Sequence, residues 1–414
     1  MNAEAISKKF SGLSLGIGVA GIVIALVGVF MGINEHEPRN LISYLIGIAF
    51  WLSILVGMLF LTMIWHTFDA GWSVVVRRQL EHFMGGFKFL LVLFLPLLAI
   101  PFLDDKYQVL WKWMKSSYVA GDVIYEAKAI YLDEMWFVVR ALLYFAVWIG
   151  LAECFRRFSF TQDKDGDAKW TSFSRKLAAP GLFFGALATT FAAFDWLKGL
   201  EFHWFSTMYG VWFFAGSMRA ALAVTVLICV FLATKGYLKG LFNQAHRYFL
   251  GCLCLAFTVF WAYITFSQYF LIYMANIPEE TFWYNIREMS EDGVKNSWWW
   301  VSMALIFGHF FGPFIYLLFY NSKIRVKALV FAAVWILCFG HIADLYFNIL
   351  PGKIYDSGSI LGYQIRQFMP NIFDLASILG IGGLIFWGFF QSMKKQEIIP
   401  IRDPRILESI NYHE

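Results

Sequence analysis

The sequence predicts an all-α integral membrane protein with ten transmembrane helices. Apolar residues make up 59% of the 414 residues and charged residues only 15%, whereas soluble domains have roughly 45–50% and about 25%. The mean hydropathy is +0.61, and unbroken apolar runs of about 20 residues, the length a helix needs to cross a bilayer, recur along the chain. This pattern excludes a disordered chain and a soluble fold, and it differs from the alternating segments of about 10 residues that form membrane barrels.

Ten segments meet the length criterion, and we number them in chain order. The predicted first to tenth spans are residues 12–33, 41–65, 83–103, 134–156, 177–197, 207–232, 247–273, 298–320, 327–349 and 372–392. Lys8 and Lys9 precede the first run, which is longer than the apolar core of a signal peptide. We therefore expect this run to be retained as a span.

A short internal similarity predicts how the spans are grouped. The segment around His82, before the third span, resembles the segment around His246, which precedes the seventh span 164 residues later. This repeat suggests two related four-helix bundles, formed by spans 2–5 and 6–9, with spans 1 and 10 as flanking helices. The predicted domains are an N-terminal span with a short loop (1–40), the first bundle (41–200), the second bundle (201–350), and the last span with a cytoplasmic tail (351–414).

Positive charge predicts the orientation. Of the 33 Lys and Arg residues, 20 fall in segments on the side of the N-terminus, 10 fall on the other side and three fall within spans. Because cytoplasmic loops carry the excess of Lys and Arg, both termini and the 157–175 loop are predicted to be cytoplasmic. The long loops 104–133 and 275–297 then lie outside, and their aromatic residues predict helices at the outer membrane interface.

Cysteine and histidine positions argue against a bound cofactor. The five cysteines lie in apolar runs without the CxxC or four-cysteine spacing of iron–sulfur, c-type haem or zinc sites. The three span histidines, His66, His309 and His341, are predicted at inner, central and outer depths, so no two of them could face one haem. We expect this chain to bind no metal and no haem.

Ionisable side chains inside spans cost about 2.5–3.5 kcal/mol each, so each one needs an explanation. An outer group comes from the ends of the fifth, seventh and ninth spans: Asp195, His203, Gln268, Tyr269, His341 and Asp344. A carboxylate beside histidine and tyrosine at the interface suits proton acceptance from a bound hydroquinone. Helix capping and salt bridges between helices are the alternative explanation.

A second set of residues forms a candidate proton path. Its members, from the inner, central and outer depths, are His66, Asp69, Glu153, Arg219, His309 and Arg140. The alternative for each of these residues is a purely structural ion pair or hydrogen bond. The inner group, His66, Asp69 and Glu153, could pair with Arg77 or Arg78, and Arg140 could pair with Asp195, which is predicted at a similar depth.

The two bundles differ in how well they could carry protons. Between Arg140 and Glu153 lie 13 residues, or about 20 Å of helix, in which only Tyr144 offers a hydroxyl. Spans 6–9 have Arg219 and His309 near mid-depth. We therefore predict that any proton route uses spans 6–9 and that His309 is its most sensitive residue.

Two motifs resemble a known family. The segment from Phe194 to Gly210 reads FDWLKGLEFHWFSTMYG, and the segment from Gln268 to Thr281 reads QYFLIYMANIPEET. Together with Asp344-Leu345-Tyr346 and Leu350-Pro351, they resemble the NrfD/PsrC-like ten-span membrane subunits of bacterial alternative complex III. The likeness covers spans 2–10.

The resemblance implies a subunit of a quinol:cytochrome c oxidoreductase in a respiratory electron-transport chain of the bacterial inner membrane. The implied partners are a paralogous ten-span quinol-binding subunit, an iron–sulfur subunit, c-type haem subunits and a terminal oxidase, with the lipid bilayer around them and no nucleic acid. The iron–sulfur clusters and haem c belong to those partners, and menaquinol or another quinone is the implied substrate.

This chain departs from the quinol-binding subunit in its third and fourth spans. The third span has no histidine and the fourth opens without an intramembrane aspartate, so the chain looks like the ActF-type paralogue of the quinol-binding ActC subunit. Three functions stay open: a quinone-binding redox subunit, a proton-conducting subunit, and a scaffold for the paralogue and the periplasmic subunits. A secondary transporter is an unrelated alternative, although paired helix breaks typical of that class are not evident. We expect no catalysis by the chain alone.

Overall fold

The structure, a computed structural model, describes residues 3–290, 293–352 and 368–412, with side chains from residue 9 onward. Ten helices in these ranges are long and apolar enough to cross a membrane, and no β-strand forms within them. The predicted fold class is therefore confirmed, and the chain is a multi-pass membrane protein. Residues 353–367, in the predicted last domain, and residues 291–292, in the predicted second loop, lie outside the described residues.

The observed spans agree with the predicted ones to within a few residues at most ends. In chain order they are Lys9–Asn34, Pro38–Thr67, Gly71–Phe102, Glu134–Asp165, Lys169–Glu201, Tyr209–Thr234, Gln244–Ala275, Ser297–Leu318, Val326–Ile349 and Ile372–Lys395. The helix of the first span begins at Ala3, and the third span is interrupted between helices Val74–Phe83 and Gly86–Leu98.

The predicted 157–175 loop is mostly helical. The fourth span continues to Asp165, where Gly166 ends the helix in a left-handed conformation with φ of 72°, which glycine adopts at no steric cost. The next helix begins at Lys169. Hydropathy marks only the apolar part of a helix, so it placed the end of the fourth span too early and the start of the fifth span too late.

The two long loops differ from each other. The helix Pro278–Glu288 forms in the second loop, as predicted. The first loop has only the short helices Ser116–Val119 and Val123–Lys128 with 3₁₀ turns around them. Its Trp111 is fully buried and donates through Nε1 to the Trp196 carbonyl at 3.1 Å. The predicted interfacial position was therefore wrong for Trp111 and Trp113, which are buried in the end of the helix bundle, whereas Tyr118 and Tyr131 of the same loop are exposed.

We call the end of the molecule that carries these two loops the loop face, and the end that carries residues 396–412 the terminal face. At the terminal face, the C-terminal segment packs against both histidines of the internal similarity. His82 contacts Ser392 Oγ at 2.9 Å and the Glu397 carbonyl at 3.1 Å, while His246 contacts Ser409 Oγ at 3.1 Å. The repeated histidines thus hold the C-terminal segment in place.

Packing contacts define the neighbours of each span. Spans 2, 3, 4 and 5 contact one another in a ring, and so do spans 6, 7, 8 and 9. Spans 1 and 10 pack on each other and on span 2, where Gly21 and Gly380 approach so closely that a Cβ on either would overlap the other backbone. This pattern is compatible with two four-helix bundles, and the division into domains stays a prediction.

Three spans contain π-helical segments. They are Ala193–Leu197, Leu305–Phe311 and Trp335–His341, in spans 5, 8 and 9. Each contains one candidate site residue, namely Asp195, His309 and His341. Such segments are rare and frequently mark functional sites, since the extra residue in the turn redirects side chains and frees backbone carbonyls.

The orientation in the membrane is testable by labelling. We expect a cysteine introduced at Ile130, an exposed loop-face residue, to react with a membrane-impermeant maleimide in intact cells. A cysteine introduced at Asp165 on the opposite face should react only after permeabilisation. The parent chain, whose cysteines lie in apolar spans, gives the background. Labelling of position 165 without permeabilisation would reverse the predicted topology.

Candidate functional site

Four ionisable residues of spans 6, 8 and 9 meet inside the protein. Arg219, His309, His341 and Asp344, which we call the central cluster, are each at most 2% exposed. Charged or titratable groups in such surroundings persist only when hydrogen bonds or opposite charges satisfy them. The partners of each residue therefore decide what the cluster can do.

Arg219 defines the protonation of His309. Its NH1 lies 2.7 Å from His309 Nε2, and because a guanidinium only donates, Nε2 must accept. His309 is then neutral with its proton on Nδ1. That Nδ1 is buried and has no hydrogen-bond partner among the residues the structure describes. An orphaned donor of this kind costs about 1–3 kcal/mol unless a water satisfies it.

The π-helical segment of span 8 sets this geometry. Arg219 NH2 donates to the His309 carbonyl at 2.9 Å, and Trp335 Nε1 donates to the Gly308 carbonyl at 2.9 Å. These side chains satisfy carbonyls that the widened turn leaves free. Across the interface, Gly340 of span 9 lies against the imidazole, and any Cβ at this position would overlap the His309 ring.

Asp344 accepts hydrogen bonds from three neutral side chains. Its oxygens lie 3.1 Å and 3.2 Å from Trp212 Nε1, 2.9 Å from Trp261 Nε1 and 3.1 Å from Asn348 Nδ2. Trp261 also lies 5.2 Å below the guanidinium of Arg219 in a cation–π contact. This one indole therefore joins the arginine to the carboxylate.

His341 links the cluster to the other bundle. Its Nε2 lies 2.7 Å from Ser53 Oγ of span 2. Because the Ser53 hydroxyl already donates to the Phe50 carbonyl at 2.7 Å, it accepts here, and His341 carries a proton on Nε2. His341 and Asp344 both lie beside Gly216 of span 6. The structure thus separates these two residues from Asp195 and joins them to Arg219 and His309.

Asp195 of span 5 forms the predicted pair with Arg140 of span 4. Arg140 Nε and NH2 approach the two carboxylate oxygens at 2.8 Å and 3.2 Å, and Tyr144 donates its hydroxyl at 2.8 Å. The guanidinium also stacks 4.1 Å above the ring of Tyr131. Both oxygens of Asp195 are occupied in this arrangement.

The other members of the predicted outer group lie at the loop face. Gln268 accepts from Ser206 at 2.9 Å and donates to the Tyr284 hydroxyl at 3.2 Å, and Tyr269 packs edge-on against the same Tyr284 ring at 5.1 Å. The predicted outer group is therefore divided among three places in the protein.

His203 bridges two carboxylates at the loop face. It lies 3.2 Å from Glu201 and 2.6 Å from Asp122. Glu201 first, and then Asp122, hold the pKa of His203 above its usual 6.5. A raised pKa means that this interaction stabilises the fold fully below pH 6.5 and is lost as the pH rises through the raised value.

The predicted inner group is dispersed over the terminal face. His66 stacks on Phe155 with ring centroids 5.5 Å apart. Asp69 lies beyond the end of span 2, half exposed, and pairs with Arg175 and Arg405.

Glu153 pairs with Lys88 at 3.0 Å and with Arg156. Pairing of the inner group with Arg77 or Arg78 was wrong, since those arginines bind three other carboxylates, Glu81, Asp163 and Asp403.

A cavity of about 460 Å³, including its open mouth, lies at the loop face. We call it the loop-face cavity. Asn348, which bonds to Asp344, lines it, as does Tyr209, whose ring packs 4.8 Å from Trp212. A line of polar groups therefore runs from His309 at the centre through Asp344 to this cavity.

Sequence reasoning missed four residues that complete the cluster: Ser53, Trp212, Trp261 and Asn348. The prediction rested mainly on ionisable groups and gave no weight to serine, tryptophan or asparagine inside spans. A signal was present for Trp261, because it lies mid-span, away from the membrane interfaces where tryptophan is normally enriched.

The fold and the central cluster define the class: a ten-span helical membrane protein with a buried titratable cluster at the junction of its helices. Beyond this class, comparison with known proteins adds nothing, because no protein-family model and no curated protein matches the chain.

Proposed function

We propose that the chain is an integral membrane subunit of a quinol:cytochrome c oxidoreductase of the alternative complex III type, and that its own part is to carry protons through spans 6–9. The resemblance of the Phe194–Gly210 and Gln268–Thr281 segments supports the complex. The buried groups that run from His309 and Arg219 past the Trp261 indole to Asp344 and Asn348 at the loop-face cavity support the proton role. We place the terminal face in the bacterial cytoplasm, following the charge bias.

The single observation that carries the proton role is the state of His309. It is a neutral imidazole whose Nε2 accepts from Arg219 and whose buried Nδ1–H faces Gly340 without a hydrogen-bond partner among the described residues. An imidazole that is satisfied on one nitrogen and open on the other can pass a proton between a water and a neighbouring group. A histidine with a purely structural role would normally have both nitrogens bonded.

Quinol oxidation itself is assigned to the paralogous subunit in this proposal. Asp195 is occupied by Arg140 and Tyr144, and His203 is held between Asp122 and Glu201. A hydroquinone releases two protons and needs free acceptors at its ring. The dispersal of the outer group disfavours a quinone site built from these residues. In this proposal the iron–sulfur clusters and haem c are held by partner subunits.

The expected result of His309→Leu is a loss of coupling. In the purified complex reconstituted in vesicles, proton release should fall toward about one proton per electron, the amount that hydroquinone chemistry supplies by itself. Quinol turnover and subunit composition should be retained. The matched control is Glu153→Gln, which removes an ionisable group that is partly exposed and paired with Lys88, and should leave the ratio unchanged.

The same experiment decides between functions. If the chain is only a scaffold, the assembled complex should release the same number of protons per electron with either substitution. If His309→Leu leaves the ratio intact while Glu153→Gln abolishes it, the route runs through spans 2–5 and the proposal is wrong. A secondary transporter would instead show substrate uptake by vesicles that contain this chain alone.

A further inference from the structure

Three cationic side chains from distant parts of the sequence line the loop-face cavity. Lys112 comes from the first long loop, Lys198 from the end of span 5 and Arg287 from the helix Pro278–Glu288. Glu201 is the one acidic residue among the lining residues, and its carboxylate acts on Lys112. The described lining therefore has three positive groups against one negative group.

Arg287 is held in place without being neutralised by its hydrogen bonds. Its N–H groups donate to the Phe347 carbonyl at 2.8 Å, the Trp283 carbonyl at 2.7 Å, and the Asn348 and Pro351 carbonyls at 3.3 Å and 3.2 Å. Carbonyls at the end of span 9 favour a cation but leave its charge in place. Burial accordingly lowers the pKa of Arg287 to about 9.

Lys198 is arranged in a similar way. Lys198 Nζ donates to the Trp204 carbonyl at 2.9 Å, again a neutral partner. Burial lowers the pKa of Lys112 to about 7 in spite of the nearby Glu201. Buried cations of this kind gain stability from a further anion in the cavity.

A polar group without a partner marks the wall of the cavity. Tyr209 lines it, is 1% exposed, and its hydroxyl has no hydrogen-bond partner within the described part of the chain. A buried hydroxyl is normally satisfied. A ligand oxygen in the cavity would accept a hydrogen bond from this hydroxyl.

The remaining wall is apolar, with Ile42, Leu110, Leu197, Leu200, Ile349 and Leu350. Lys198, Tyr209 and Ile349 place the cavity at the loop-face ends of spans 5, 6 and 9, and lipid head groups lie at the ends of membrane-spanning helices. An anion with an attached apolar part fits such a lining better than a free metal ion or a neutral molecule.

We propose that the loop-face cavity binds a phosphate group through Lys198, Arg287 and the Tyr209 hydroxyl, supplied either by an anionic phospholipid or by free phosphate. Tetrahedral phosphate oxygens can accept from several donors that approach from different directions. The bound charge would cancel the positive potential beside Asn348, at the end of the polar line from Asp344. The site needs only the cavity, and it holds whether or not protons move through the cluster.

The test uses the purified full chain in a neutral detergent, with thermal stability as the readout. Phosphatidylglycerol is titrated against phosphatidylcholine, and inorganic phosphate against chloride at equal ionic strength. A ligand that binds the folded state raises the melting temperature in a concentration-dependent way. We expect phosphatidylglycerol to do so; a matching response to inorganic phosphate would identify free phosphate as the source, and its absence would identify the lipid.

Tyr209→Phe and Lys198→Gln should each weaken the apparent affinity about tenfold, as expected for the loss of one hydrogen bond to a charged group. The matched control is Tyr237→Phe, because that hydroxyl also has no partner among the described residues but lies near the terminal face. It should leave the affinity unchanged. The proposal is overturned if neither phosphatidylglycerol nor phosphate stabilises the wild type, or if Tyr209→Phe binds as tightly as Tyr237→Phe.

Discussion

Arg140→Leu is expected to destabilise the protein by about 3–5 kcal/mol, because removing one partner of a buried ion pair leaves the other charge uncompensated. Asp195 is 1% exposed at its side chain, and Arg140 contacts both of its oxygens. Tyr144 would still donate a hydrogen bond to Asp195, but as a neutral group it would not compensate the charge. The free energy of unfolding should be measured by reversible denaturation in mixed detergent micelles.

A double-mutant cycle separates the pair from its surroundings. Arg140→Leu with Asp195→Leu should recover most of the loss, since replacing a whole buried pair by apolar residues is often neutral. The control pair is Lys88 and Glu153, whose side chains are 56% and 37% exposed. Lys88→Leu should cost less than about 1 kcal/mol, and an equal cost for Arg140→Leu would show that the Asp195 pair contributes no more than a surface pair.

Gly340→Ala is expected to cost about 3 kcal/mol and to uncouple proton release in the same way as His309→Leu. The added methyl group would occupy the position of the His309 ring. Overpacking a dense core costs about 1–3 kcal/mol, and displacement of the ring also breaks its bond to Arg219, a hydrogen bond to a charged group worth about 1.5–3 kcal/mol. Stability and protons released per electron should be measured on the same preparations.

Two further variants test whether the effect of Gly340→Ala arises from its overlap with the His309 ring. The control is Gly150→Ala. Gly150 lies in span 4, and no atom is near the position of the added methyl group, so this substitution should change the free energy of unfolding by less than about 1 kcal/mol. Adding His309→Ala to Gly340→Ala makes room for the methyl group, so the two costs should be clearly less than additive. Full additivity would mean that Gly340 does not act through His309.

The sequence by itself determined the ten spans, because the free energy of placing a segment in a membrane depends mainly on its own side chains. It also determined the Arg140–Asp195 pair, since two charges at one depth in adjacent spans have few other ways to be satisfied. Hydropathy mispredicted helix ends where a helix continues beyond its apolar segment, as it does up to Asp165. Sequence reasoning failed again in residues 104–133, where Trp111 is buried among other helices instead of lying at the interface.

The tertiary structure decided which polar residues meet. His341 and Asp344 were predicted at the same depth as Asp195, but their side chains lie with Ser53 and beside Gly216 in the central cluster instead. The direction of these side chains depends on the π-helical segments, which shift the register of every side chain that follows and which no hydropathy pattern reveals. The convergence of distant cations on the loop-face cavity likewise depends on which helix ends become neighbours. Such contacts between distant residues arise only when the spans pack together, so they could not be read from any single segment.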